Sequence, residues 1–359
     1  MDEDELPENE VVDLGEDDED VVDTPDGGAI VRLDDEDEAQ RSEDFYANLA
    51  ETMPESELAE LAQTYLDLIS KDKEARKKRD EQYEEGLRRT GLGDDAPGGA
   101  QFQGATRVVH PLLTEACVDF AARAIKELMP PQGPVKDFIP GEATAEKIKK
   151  AKRKTAFMNW QLTVQSAEFR AELEQLLTQV PLGGAQYLKV TWNEARNRPE
   201  FLFVAIDDMY LPFAATNFYS AQRKTHVQYL TAIDYQRRVR SGMYRDVDIG
   251  PVNMEPEFSV AEKANNKIEG RTETSYNEDG LRTVYEVYTI AAIEGDEALP
   301  YIVSIDKSSG KVLSIYRNWD ELDEAQEELQ WFVEFPFVPW RGAYPVSYTH
   351  LTLPTTSRV

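Results

Sequence analysis

Val284-Tyr-Glu-Val-Tyr-Thr-Ile290, Tyr301-Ile-Val-Ser-Ile305 and Val312-Leu-Ser-Ile-Tyr316 decide the fold of this chain. Each run alternates in side-chain character, as a half-buried strand does when successive residues point to opposite faces of a sheet. Asp306-Lys-Ser-Ser-Gly310, between the second and third runs, is turn-rich and of hairpin length. Arg317-Asn-Trp319 then leads through an acidic segment into Trp331-Phe-Val-Glu-Phe335-Pro-Phe-Val-Pro339. Residues 284–339 therefore predict three antiparallel strands and a helical turn.

Helices are predicted upstream. Leu58, Leu61, Ala62, Tyr65, Leu66 and Ile69 form an apolar stripe, and the pattern becomes highly charged from Lys71 to Arg89. That second half, with Glu74 and Lys78 at i,i+4 and Glu81 nearby, predicts a helix that projects into solvent or meets another subunit. Gly91, Gly93, Pro97, Gly98 and Gly99 form a linker. From His110 to Met129, Leu113, Cys117, Phe120, Ala124 and Leu128 recur at helical spacing, and Pro130-Pro131 ends that helix. A second long helix is predicted over about 144–180, its core stripe being Phe157, Trp160, Val164, Phe169, Leu173, Leu176 and Val180, stopped by Pro181 and Gly183-Gly184. Tyr187–Trp192 and Phe201–Ile206 flank Asn193 to Pro199 as a hairpin-like pair. A short helix near Ile233 to Arg240 ends at Gly242, and residues 246–282, rich in Asn, Glu, Gly and Pro, predict a long mobile insertion. No internal repeat is present. The fold class is α+β: long helices followed by an antiparallel β-meander.

Charge divides the chain. Of the net −30, residues 1–44 carry −19, from 21 Asp or Glu against Arg32 and Arg41. So much like charge with so few large apolar residues cannot offset its ordering entropy, so an acidic disordered tail is predicted there. It could solubilise the chain, hold subunit ends apart or repel DNA. Cys117 is the only cysteine, which excludes an intrachain disulfide. The acidic start is the opposite of a signal peptide, and no apolar run approaches a membrane span. These features place the protein in a cytoplasm or in a particle assembled there.

The motifs of common chemistries are missing. Gly310-Lys311 is followed by Val312, with Ile305 five positions before the glycine, which makes a hairpin turn and not a phosphate loop. Gly91 and Gly93 lack the third glycine and the preceding strand of a dinucleotide site. His110, His226 and His350 are the only imidazoles, and each reads as a structural or surface group. No Cys/His cluster has zinc spacing. Asp207-Asp208 could hold magnesium as a nuclease does, but no acid-x-Lys pair follows within the next thirty residues, so the two read as loop acids. No catalytic, cofactor-binding or metal residue is assigned, and no enzyme is expected. Lys147, Lys149, Lys150, Lys152, Arg153 and Lys154 place six positive charges in eight residues. They suit DNA phosphate, a solvated helical face, or acidic residues of a neighbouring subunit.

Leu299-Pro-Tyr-Ile-Val-Ser-Ile-Asp306, Ser309-Gly-Lys-Val-Leu-Ser-Ile315, Arg317-Asn-Trp319 and Phe335 to Pro339 resemble the portal proteins of short-tailed (podovirus-type) double-stranded DNA bacteriophages. The resemblance covers about residues 100–340, including a helix, glycine turn and strand ahead of the proline-containing acidic loop Asp207–Pro212. It implies the wing-side part of a portal subunit, in a ring of about a dozen copies at one capsid vertex. DNA would be packaged and ejected through the ring. The implied partners are the chain itself, the terminase motor, capsid, and tail or head-completion proteins, with DNA passing without sequence specificity and no membrane. The implied location is the virion, assembled in the bacterial host cytoplasm. Ser347 to Val359 resembles a translated sequencing adaptor, which predicts that the native gene continues past about Pro345 into the stem helix and clip. The expected organisation is an acidic tail 1–44, a charged helix and linker 45–99, a partial portal body 100–345 and the adaptor-like end 346–359. Two alternatives remain: a metal-dependent DNA-processing enzyme, and an acidic adaptor that binds basic partners through 1–44.

Overall fold

The computed structural model describes residues 45–90, 111–139, 141–193, 196–252, 263 and 280–337, together with the backbone of two short strands near the amino terminus. Those strands, β1 (Val21–Asp23) and β2 (Ala29–Val31), pair antiparallel within the acidic segment. The rest of that segment lies outside the described residues. So do the glycine linker 91–99, His110, residues 253–262 and 264–279 of the insertion, and the adaptor-like end with His350.

The fold is α+β, with long helices first and antiparallel sheets after them. The helices are α1 (Glu55–Arg88), α2 (Leu112–Leu128), α3 (Ala145–Trp160) and α4 (Glu168–Gly183). Strands β3 (Ala185–Asn193) and β4 (Arg198–Val204) form a hairpin. After them come β5 (Met209–Tyr210), β6 (Arg223–Leu230), α5 (Ala232–Arg240), β7 (Arg282–Ala291), β8 (Leu299–Asp306), β9 (Val312–Arg317) and β10 (Phe332–Pro336). The five-stranded sheet runs β5-β6-β7-β8-β9 in chain order, the predicted meander, and the β8–β9 turn closes at Gly310, where φ is 65°. Asp306 shapes that turn by accepting from the backbone N–H and hydroxyl of Ser309.

Four predictions change. The last apolar run is a strand, but it joins the other sheet, order β10-β3-β4, and the acidic segment before it forms successive turns instead of a helix. The predicted helix over 144–180 is two helices separated by a π turn, Gln161–Gln165. The break has a cause: the Ser166 N–H donates to the Gln161 carbonyl, while its hydroxyl donates to the Pro199 carbonyl at the hairpin tip (2.9 Å for each). The turn rotates Phe157, Trp160 and Val164 off the core stripe; they are 58%, 46% and 64% exposed, whereas Leu173, Leu176 and Val180 are buried. Pro181 sits inside the last turn of α4 instead of stopping it; the helix ends at Gly183 and is capped by Gly184, where φ is 87°. Finally, the margins of the predicted mobile insertion are packed. Ile249 lies against Leu230, Tyr244, Val284 and Leu313, and Arg282 donates to the Gly250 carbonyl at 2.7 Å.

The charged half of α1 also departs from expectation. Leu58, Ala62, Tyr65 and Ile69 bury against Val287, Val303, Ile305 and Trp319 of the five-stranded sheet. The same alternating spacing of three and four then continues through Asp72, Arg76, Arg79 and Tyr83, all buried. One face of the helix is thus inside along its length, and only the chemistry of the buried residues changes. Beyond the meander, Tyr288 meets Tyr187, Phe218 and Phe332, so the two sheets share a core, while Leu188, Phe201 and Phe203 turn to α4.

The rim of β9 is closed by side chains. Asn48 donates to the Leu313 carbonyl and accepts from Ile315 N–H (3.2 and 3.0 Å), in the manner of a paired strand. Arg245 donates to Val312 O at 2.6 Å. On the other sheet, Glu172 of α4 accepts from Phe203 N–H of the outer strand β4 at 2.6 Å.

Candidate functional site: an exposed basic and apolar helix beside two buried ionic centres

Helix α3 is the surface most available to a partner. Thr144 caps its start by accepting from Lys147 N–H at 3.3 Å, satisfying a backbone donor that the first turn leaves free. None of its 16 residues is buried. Asn159 holds its far end, bonding both the N–H and the carbonyl of Val135 (2.9 and 3.2 Å). Lys147, Lys149, Lys150, Lys152, Arg153 and Lys154 are all exposed, and none forms an ion pair among the described residues. Phe157, Met158 and Trp160 continue the helix as exposed apolar groups, the rings of Phe157 and Trp160 lying 5.9 Å apart.

The first ionic centre explains Asp207. Its Oδ1 accepts from Arg76 Nη2 at 3.1 Å and Arg79 Nη1 at 3.2 Å, and Asp80 pairs with the same two guanidiniums. Arg76 also donates to the carbonyls of Ile206 and Met209, and Arg79 to that of Gly183. These bonds fasten α1 to the end of α4 and to the turn between the two sheets. Asp207 is thus a structural counter-ion inside the protein, committed to two guanidiniums. Asp208 is half-buried and accepts from the Tyr229 hydroxyl at 3.3 Å.

The second centre lies where the sheets meet. Glu286 of β7 accepts from Lys189 of β3, from Gln228 at 2.8 Å and from His226 Nδ1 at 3.1 Å. Burial pushes the Glu286 carboxyl up, but the Lys189 charge and the hydrogen bonds outweigh it and hold it well below the ordinary carboxylate range. Burial lowers the His226 imidazole against the opposing pull of Glu286, so it is neutral at pH 7 and donates through Nδ1. His226 is therefore a structural histidine of strand β6.

Cys117 is buried, and burial pushes its thiol up to about 11, which removes thiolate reactivity. An open groove of about 460 Å³ runs between α1 and the ends of β6 and β7, lined by Glu57, Glu60, Tyr65, Arg223 and Ile290 among others. Among the described residues no group of three or more His, Cys, Asp or Glu is placed to hold a metal ion, and no helix is long and apolar enough to cross a membrane. The sequence reading missed Arg76, Arg79, Lys189 and Glu286. The first two had a signal in the unbroken spacing from Leu58, while Lys189 and Glu286 had none, since each sits on its own strand as an ordinary charged residue.

No known family model and no curated protein matches the chain. The fold and its centres define the class: an α+β scaffold cemented by buried ion pairs, with no residue of α3 buried among the described residues.

Proposed function

We propose that this chain is a structural subunit of a bacteriophage portal ring, the channel at one capsid vertex through which DNA is packaged and ejected. The observation that carries the reading is the placement of the residues behind the portal resemblance. Asn318 ties a knot: its N–H donates to the Pro300 carbonyl, its carbonyl accepts from Leu329 N–H, and its side-chain oxygen accepts from Trp331 Nε1 at 2.7 Å. Trp319 is buried against Tyr301, their ring centroids 5.3 Å apart. The resembling phrases 299–306, 309–315 and 317–319 are one hairpin and its anchor, which supports reading them together. A ring also requires heterologous contacts between unlike faces of each subunit. In this reading terminase, capsid and tail proteins are the other partners, and the role needs no catalytic group.

The test is to express the gene, with any continuation of its reading frame past Pro345, and image the product by negative-stain microscopy. Discrete rings are expected from the continued gene, and monomers or ill-defined oligomers, sized by light scattering, from the 359-residue chain. A continued product that stays monomeric at every salt concentration would refute the proposal.

A further inference from the structure

We infer that the acidic amino-terminal segment of this chain, residues 1–44, docks on α3 and shields its basic face from other polyanions. The inference does not depend on the portal reading. It starts from an imbalance: six exposed cationic residues on one short helix have no ionic partner among the described residues, while residues 1–44 carry a net −19. Opposite charges on one chain meet at an effective concentration in the millimolar range, far above that of a free ligand. Reach is not limiting. Phe45 is fixed at Trp319, with ring centroids 5.7 Å apart. From there 44 residues extend up to ~145 Å, against a radius of gyration of ~20 Å for a compact chain of this length.

Two other occupants have the right sign, duplex DNA and the acidic turns 320–328 of a second copy. The apolar half of the surface decides between them. Phe157, Met158, Trp160 and the adjoining Val164 lie exposed beside the lysines, and duplex phosphate offers them no partner. Residues 1–44 intersperse their acids with Val11, Val12, Leu14, Val21, Val22, Ile30, Val31 and Leu33, which complements both halves. The acidic turns are partly engaged within their own chain, since Glu328 pairs with the buried Lys224 at 2.8 Å.

The full chain decides the matter, with a water-soluble carbodiimide joining contacting lysines and carboxylates. Cross-links from Lys147, Lys149, Lys150, Lys152 or Lys154 into residues 1–44 are expected at low protein concentration. A mixture of isotopically labelled and unlabelled chains should show them to be intramolecular. A fluorescent 30-base-pair duplex is the second probe. Neutralising the acids at 16–20 and 34–38 (E16Q, D17N, D18N, E19Q, D20N, D34N, D35N, E36Q, D37N, E38Q) should raise its affinity by ~10-fold at 0.1 M salt. Adding K149E, K150E, R153E and K154E should abolish the gain. If the last variant fails to fold, the cross-links and the neutralised variant still decide. Absence of cross-links to 1–44, or a duplex affinity unmoved by neutralisation, overturns the inference. Cross-links between α3 and 320–328 of another copy overturn it in favour of a contact between subunits.

Discussion

Arg76 and Asp207, 131 residues apart in sequence, meet at 3.1 Å inside the protein, and the pair joins the long first helix to the turn between the two sheets. Each guanidinium has lost water and regained it as carbonyl and carboxylate bonds. Losing the Asp207 charge would leave Asp80 as the counter-ion shared by both guanidiniums, so two desolvated cations would face a single carboxylate.

Replacing Asp207 by Asn should therefore destabilise the chain by about 1.5–3 kcal/mol in urea unfolding. Asp208→Asn, one residue on, should cost less, about 1 kcal/mol, because that carboxylate is only half-buried. Equal costs would show that the guanidiniums do not depend on Asp207.

Acid should weaken the protein through His226. Its folded pKa lies below the unfolded value, so the unfolded chain binds the proton first. The stability it protects is present above about pH 6.5 and is lost as pH falls through that value, at no more than about 1.4 kcal/mol per pH unit. Glu286, also lowered, adds a loss that begins as pH falls through the ordinary carboxylate range, where the unfolded chain takes up its proton. Urea midpoints between pH 5 and 8 should slope downward toward acid in the native chain and flatten in His226→Gln. A native midpoint that is level across this window would mean that the imidazole ionises freely.

Asn48→Asp should cost about 1–3 kcal/mol, although one atom changes. The carboxylate cannot donate to the Leu313 carbonyl, which keeps only its bond from Arg245 N–H and faces a negative charge instead. Hydrogen exchange at the Ile315 amide gives a local readout. Protection equal to that of the native chain would argue against the side chain's role at this rim.

Phe157→Ser combined with Trp160→Ser should change stability by less than about 0.5 kcal/mol, since both rings face outward. A cost above about 2 kcal/mol, measured by urea unfolding, would place the rings in a core instead.

Sequence pattern made the meander legible because alternation depends only on neighbours along one strand. Tyr285 and Val287 do face α1, as their period requires. The destination of β10 was not legible, since Phe332 pairs with Lys189 by a choice between two sheets that local pattern does not encode. The helix break at Gln161 was hidden for a similar reason: it depends on the Pro199 carbonyl, far along the chain. On α1 the signal was present but masked by composition. Arg76 and Arg79 keep the spacing of Leu58 and Tyr65, and charge was read as exposure although the position was interior. The basic run of α3 was visible as charge, but its apolar continuation had been assigned to the core.

The side chains of Asn48, Arg245 and Glu172 have one more consequence. Outermost strands are where identical chains zip together backbone to backbone, the route by which crowded β-proteins grow into fibres. Here amide, guanidinium and carboxylate groups from the same molecule already occupy the bonds at Val312, Leu313, Ile315 and Phe203. Copies gathered at high local density are thus turned away from strand addition at these positions. Contacts between copies at these positions are left to side chains on a helix or loop, where they release without unravelling either sheet.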